Sequence, residues 1–231
     1  MTAEPDSRAL PPVLLVHGFA SSADHNWRRP GWLDLIADTG RETIAPDLPG
    51  HGQAPRPTSP VDYPCVEDYV AEAIAGHDRV DAIGFSAGAQ VLLRLAAAQP
   101  GRFRRLALIG VGNRVFRPAD LGPIVAALEG ETGPENLTGV VFRRLADGLG
   151  NDTEALLAFL RRPQSPLSPA DVAAISCPVL VVLGDGDPAA PGDELVAALP
   201  DARLVTLRGV DHFGTPGDVR CMQAVLDFVD G

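Results

Sequence analysis

The sequence predicts an α/β protein, a mostly parallel, doubly wound sheet of about six strands with a small helical cap. Three observations carry this expectation. Short aliphatic and β-branched runs alternate with segments of helical periodicity along most of the chain. One such run passes through Gly84-Phe85-Ser86-Ala87-Gly88 directly into an Ala/Leu-rich helix. The alternation is broken over residues 114–168, which hold no clear strand pattern.

Taken in order, residues 13–16 read as a buried strand and residues 32–38 as a helix with Leu33, Ile36 and Ala37 in register. Residues 42–45 form a second short strand. Residues 65–75 form a helix with Val66, Val70, Ala73 and Ile74 on one face. Residues 80–85 make the third strand and residues 87–99 the helix behind it, stopped by Pro100-Gly101. Strands follow at 105–109, 179–183 and 203–207, with a helix at 193–199 and a terminal helix at 218–229. Val219, Met222, Val225, Leu226 and Val229 fit a helical period in that last segment. Strands alternating with helices imply right-handed crossovers and a sheet covered on both faces.

Residues 114–168 carry helical stretches at 121–128, 136–146 and 153–161, punctuated by Pro118, Pro123, Pro134, Pro163 and Pro166 and closed by Pro169. A helical insert between two strands of a parallel sheet cannot join the sheet. It belongs over the carboxyl ends of the strands, where open α/β sheets bind ligands. The expected organisation is therefore a core of residues 1–113 and 169–231 and a cap of residues 114–168. The shortness of the cap predicts a fairly open pocket.

Bulk properties narrow the function. A chain of 231 residues with 45% hydrophobic and 21% charged residues suits one soluble domain. A net charge of −11 argues against nucleic acid or an anionic membrane as partner and favours a small-molecule substrate. Cys65, Cys177 and Cys221 have no disulfide or metal-ligand spacing and read as small hydrophobes. Neither a signal peptide nor a membrane-length apolar run is evident, so a cytoplasmic location is expected.

The chemistry centres on Ser86. Chance gives Gly-x-Ser-x-Gly about 0.09 times in a chain of this glycine and serine content. Here it falls between a strand and a helix, the context of a nucleophile elbow. Gly84 and Gly88 let the two elements approach, and the helix aims its first amides at the reacting centre. A serine hydroxyl needs a base. Of the five histidines, His212 lies on a loop leaving the sheet after the last strand, the topology that reaches Ser86. His17 is better read as a loop organiser. The base needs a carboxylate to set its tautomer. Asp187, in Gly184-Asp185-Gly186-Asp187-Pro188, is preferred, with Asp185 as the alternative. Asp211 beside the histidine reads as a loop cap. The oxyanion needs donors, expected from the backbone N–H groups of Ala87 and Phe19. His25, Trp27, Phe85 and Phe142 are candidate substrate contacts. Phe116, Leu121, Val125 and Phe159 form either an apolar roof or the cap's own core.

These pieces together resemble the α/β-hydrolase fold family. The order Ser86, Asp187, His212 matches that family. So do Val13-Leu14-Leu15-Val16-His17-Gly18-Phe19, Ala45-Pro46-Asp47-Leu48-Pro49-Gly50-His51-Gly52 and Leu183-Gly184-Asp185-Gly186-Asp187. The N-terminal twelve residues are too short for the family's leading hairpin, so a trimmed sheet is expected. The resemblance implies a carboxylesterase-like enzyme working through an acyl-serine, with no metal or organic cofactor. A serine in place of aspartate disfavours carbon–halogen and epoxide cleavage. The alternative enzyme is a hydrolase of C–C bonds in vinylogous diketone acids, whose carboxylates Arg143-Arg144 or Arg161-Arg162 would face. A non-catalytic small-ligand-binding protein on the same fold is the alternative of another class.

Overall fold

The computed structural model describes residues 10–63, 65–131, 133 and 135–231. Its strands are β1 (Val13–Val16), β2 (Thr43–Ile44), β3 (Val80–Phe85), β4 (Phe103–Ile109), β5 (Val179–Gly184) and β6 (Ala202–Leu207). They form one six-stranded sheet in the order β2-β1-β3-β4-β5-β6, and every pairing is parallel. The helices are α1 (Trp32–Ala37), α2 (Val66–Ala73), α3 (Ala87–Ala98), α4 (Gly122–Leu128), α5 (Leu137–Gly148), α6 (Thr153–Arg161), α7 (Pro169–Ala173), α8 (Asp193–Ala198) and α9 (Val219–Asp230). The expected absence of leading strands falls mostly on residues 1–9, and one of the expected breakers is Pro134; these positions lie outside the described residues.

The period-two pleat divides the strand side chains between two cores. Leu14, Val16, Ala82, Leu106, Leu108, Val179 and Val181 pack with α2, α3, α7 and α8 on one face. Val13, Leu15, Ile83, Phe85, Ala107, Ile109, Leu180 and Val182 pack with α1 and α9 on the other. Burial on both faces explains why the central strands read as unbroken apolar runs rather than alternating ones.

Some elements differ from the sequence expectation. The strand read at 42–45 is reduced to two residues, because β2 is an edge strand paired only with β1. The strand read at 105–109 begins two residues earlier, at Phe103, which pairs with Val80 across a register shift. Helix α7 was missed, although Ser168 and Asp171 form a capping box with Pro169 at the first helical position, a signal present in the sequence. A short π-helical turn, Asp24–Arg28, occupies what reads as loop. Cys177 and Cys221 are buried as expected of small hydrophobes, whereas Cys65 is half-buried.

Strand order reverses at β1, with β2 on one side and β3 on the other. This switch point opens a crevice at the strands' carboxyl ends. The opposite end is anchored by Asp81 at the start of β3. Its carboxylate is fully buried and accepts from Arg41 and from Arg104 Nε at 3.0 Å. Arg41 also donates to the Pro11 carbonyl at 2.9 Å and the Val229 carbonyl at 3.1 Å, tying the chain's two ends to the sheet.

Removing that carboxylate leaves two guanidinium groups facing a buried gap. Asp81→Ala is expected to lose about 3–5 kcal/mol of stability in urea unfolding.

Candidate active site

The turn between β3 and α3 holds Ser86 at φ 52°, ψ −114°, a conformation that side chains other than glycine rarely adopt. Its surroundings impose it. The Ser86 amide donates to the Ile109 carbonyl at 2.8 Å, and the α3 ladder starts at the Gln90 amide and Ser86 carbonyl, 3.0 Å apart. A methyl group on Gly88 would lie 2.2 Å from the Val16 carbonyl oxygen, and one on Gly84 2.7 Å from Ala89 Cα. Helix and sheet meet here at a distance only glycine permits.

His212 sits on the loop after β6. Its Nε2 lies 3.0 Å from Ser86 Oγ and its Nδ1 2.8 Å from Asp187 Oδ2. The Asp187 side chain is fully buried. An ionised carboxylate only accepts, so Nδ1 carries the proton and Nε2 is left to accept from the serine hydroxyl. The other Asp187 oxygen accepts from the Ala189 amide at 2.7 Å, which fixes its orientation. Asp185 points elsewhere: it accepts from the Gly209 amide at 2.7 Å and shapes the turn. Asp211 accepts from the Gly214 amide at 2.7 Å and caps the histidine loop.

The loop after β1 abuts the serine. A methyl group on Gly18 would lie 3.4 Å from Ser86 Cβ. The Ala87 amide precedes the first bond of the α3 ladder, and the Phe19 amide has no partner among the described residues. Two side chains hold this loop: Asn26 Oδ1 accepts from the Gly18 amide at 2.9 Å, and Asn151 Nδ2 donates to the Ala20 carbonyl at 2.9 Å. Asn151 also accepts from the Gly52 amide at 2.9 Å, joining the front loops to the start of α6.

His17 and His51 brace the same region. His17 accepts from the Leu48 amide at Nε2 (2.9 Å) and donates from Nδ1 to the Gly18 carbonyl (2.8 Å). It is fully buried, and that burial lowers its pKa against the pull of Asp47. His51 packs edge-on against Phe159 at 4.9 Å and Phe19 at 5.5 Å, and burial pushes it down to about 3.

Phe19, Ser21, His25, Asn26, Phe85, Ser86, Phe142, Leu145, His212 and Phe213 enclose a cavity of about 60 Å³. The open pocket expected from a short cap is not found. Helix α5 lowers Phe142 and Leu145 onto the site, and Phe142 meets Phe213 edge-on at 5.3 Å. The structure thus brings His25, Phe85 and Phe142 to the serine. Trp27 is a correction: it is fully buried under the loop, packed edge-on against Trp32 at 5.7 Å in the core on the α1 face. The cap arginines do not line this cavity either. Arg143 pairs with Asp147 at 2.9 Å, Arg161 pairs with Glu129, Arg162 stacks 3.8 Å over Phe159, and Arg144 is exposed. Ser21, Asn26, Leu145 and Phe213 were missed, though Phe213 adjoins His212 and Leu145 lies one helical turn from Phe142.

A larger depression of about 480 Å³ is lined by Asp185, Asp211, Asp218, Val210 and neighbouring glycines, and by none of Ser86, His212 or Asp187. Among the described residues no three His, Cys, Asp or Glu side chains gather to hold a metal ion, and no helix is long and apolar enough to cross a membrane.

A parallel sheet with a strained serine between strand and helix, and with histidine and aspartate on later loops, is the arrangement of the α/β hydrolases. The profile of the alpha/beta hydrolase family matches residues 13–220, and the chain belongs to that family. It is 29% identical to a pimeloyl-[acyl-carrier protein] methyl ester esterase of Neisseria meningitidis, over 96% of this chain and 94% of the relative. A 2-hydroxy-6-oxo-2,4-heptadienoate hydrolase of Pseudomonas putida is 38% identical over 47% of this chain and 40% of its own length. Among solved structures, NosK from Streptomyces actuosus superposes with a TM-score of 0.73 at 22% identity, over 95% of this chain and 97% of that one.

Asp187→Asn is expected to lower kcat about 10⁴-fold by offering His212 the wrong tautomer. Asp185→Asn should lose far less, and steady-state kinetics of the two variants checks the order. The buried imidazoles set a pH dependence of stability. The unfolded chain takes up their protons below about pH 6.5, while the folded state resists. Their contribution is complete above that value and drains as pH falls toward the folded value of His51, about 3. Melting temperatures between pH 7 and pH 4 should therefore fall, with a shallower slope in His51→Phe.

Proposed function

We propose that this α/β hydrolase is a serine esterase that cleaves a carboxylic ester through an acyl-serine intermediate. The observation that carries the reading is the continuous line from Ser86 Oγ through His212 to the buried Asp187, with links of 3.0 and 2.8 Å. In this reaction His212 Nε2 takes the Ser86 proton as Oγ attacks the ester carbonyl. The Phe19 and Ala87 amides receive the oxyanion. The protonated imidazole, stabilised by Asp187, returns its proton to the leaving alkoxide as the tetrahedral intermediate collapses. Water then enters, gives a proton to His212, and attacks the acyl-serine. A second collapse releases the carboxylic acid and restores the serine hydroxyl. Likeness to a methyl ester esterase over nearly the whole chain supports an ester as the scissile bond.

The C–C hydrolase reading needs a cation facing the substrate carboxylate. No lysine or arginine is among the cavity-lining residues, and Arg143, Arg144, Arg161 and Arg162 of the cap are paired, stacked or exposed. The esterase reading therefore has the better support.

A p-nitrophenyl ester series from acetyl to long acyl tests it. The wild-type protein should turn over the short esters, and Ser86→Ala should lose about 10⁴-fold or more in kcat. The cavity of about 60 Å³ favours short acyl groups. Activity that survives in Ser86→Ala would overturn the acyl-serine, and ligand binding without turnover in the wild type would favour the binding protein.

A further inference from the structure

The His212 imidazole needs more than its two hydrogen bonds to stay in place. Nδ1 bonds Asp187 Oδ2 at 2.8 Å, and Nε2 bonds Ser86 Oγ at 3.0 Å. Two contacts define a line, about which the ring can still rock. Once Ser86 carries an acyl group it has no hydroxyl to offer, and the bond to Asp187 alone remains. A base that must then receive a proton from water needs a third constraint, and geometry of this kind is what proximity effects depend on.

Phe85 supplies it. Its ring centroid lies 4.9 Å from that of His212, with 35° between the planes, a tilted stack. The Phe85 ring is itself wedged between two glycines and is 5% exposed. A methyl group on Gly18 would lie 2.8 Å from Phe85 Cδ1, and one on Gly110 would lie 2.9 Å from Phe85 Cε2, on the opposite edge of the ring. The same methyl on Gly110 would lie 3.1 Å from His212 Cε1, the carbon between the two bonding nitrogens. Gly110, at φ 71°, thus leaves the space in which the two rings meet. A ring face within roughly 6 Å also attracts a cation, so this wall favours the imidazolium that forms when Nε2 takes a proton. Phe213 meets His212 edge-on at 5.4 Å but is 42% exposed, so the fixed wall is Phe85.

We infer that Phe85 is a positioning residue for the base: its ring, clamped between Gly18 and Gly110, holds the His212 imidazole in line with Ser86 and, after acylation, with the incoming water. Phe85 also lines the cavity, but its part is in the proton transfers rather than in substrate choice. The residue before the serine thereby couples the loop after β1 to the loop after β6. The inference rests on the esterase reading above.

The test uses Phe85→Leu, which stays apolar but loses the ring, and Phe85→Tyr, which keeps it; Phe85→Met replaces Phe85→Leu if the latter does not fold. On p-nitrophenyl acetate and butyrate, Phe85→Leu should lose about tenfold in kcat, by the same factor on both esters and with no rise in KM. Phe85→Tyr should recover most of that loss. Val225→Ala thins the same core without lining the cavity, and should lower the melting temperature but not kcat, which separates positioning from stability. The proton NMR resonance of His212 Nδ1–H, bonded to Asp187, reads the placement of the base directly. It should be sharp in the wild type and broadened by exchange with water in Phe85→Leu. An unchanged kcat and an unchanged resonance in Phe85→Leu would overturn the inference, as would a rise in KM that differs between the two esters and makes Phe85 a substrate contact. Turnover of neither ester by the wild type would overturn the esterase reading, and the resonance then decides the role of Phe85 without it.

Discussion

Everything at this site depends on one strained residue. At φ 52° Ser86 stands on the turn between β3 and α3 with its Oγ 3.0 Å from His212 Nε2. Strain of this kind costs about 1–3 kcal/mol and persists only where surrounding structure over-determines it. That structure is the sheet. The Ser86 amide is claimed by the Ile109 carbonyl, and the start of α3 is pressed against the end of β1. The strands around it have side chains buried on both faces, so the turn cannot relax without opening the core.

Around the serine, polar groups orient rather than bind. Each loop that meets the serine is tied in place by hydrogen bonds. Asp187 is held by the Ala189 amide, the histidine loop is capped by Asp211, and the loop after β1 is held by Asn26 and Asn151. His17 serves the same end as a neutral imidazole that donates from one nitrogen and accepts at the other. Buried groups satisfied in this way leave little freedom for the reacting atoms to drift, which is what preorganisation requires.

The cap turns a shallow crevice into a small chamber. Phe142 and Leu145 descend from α5 on one helical face, and Phe213, next to His212, closes against Phe142. Exclusion of water strengthens the electrostatic interactions inside.

Much of the fold was legible in the sequence because its signals are local. Uninterrupted runs such as Val13-Leu14-Leu15-Val16 follow from burial on both faces of a parallel sheet, and Pro100-Gly101 ends a helix whatever surrounds it. The elbow was legible because the strain at Ser86 demands glycine on either side within five residues. Between Asp187 and Asp185, two residues apart on one turn, the sequence favoured Asp187 but carried no signal that excludes Asp185. Side-chain direction there depends on the path of the backbone, and Asp185 is drawn away by Gly209, a residue distant in the chain. Trp27 misled for a related reason: an aromatic near a front loop suits a pocket wall and a core equally, and packing against Trp32 decided for the core. By itself the sequence determined the sheet, the helical insert and the residue types of the site, each fixed by neighbours along the chain. Tertiary structure alone decided how far the cap descends and which aspartate meets His212, since both depend on contacts between segments far apart in the sequence.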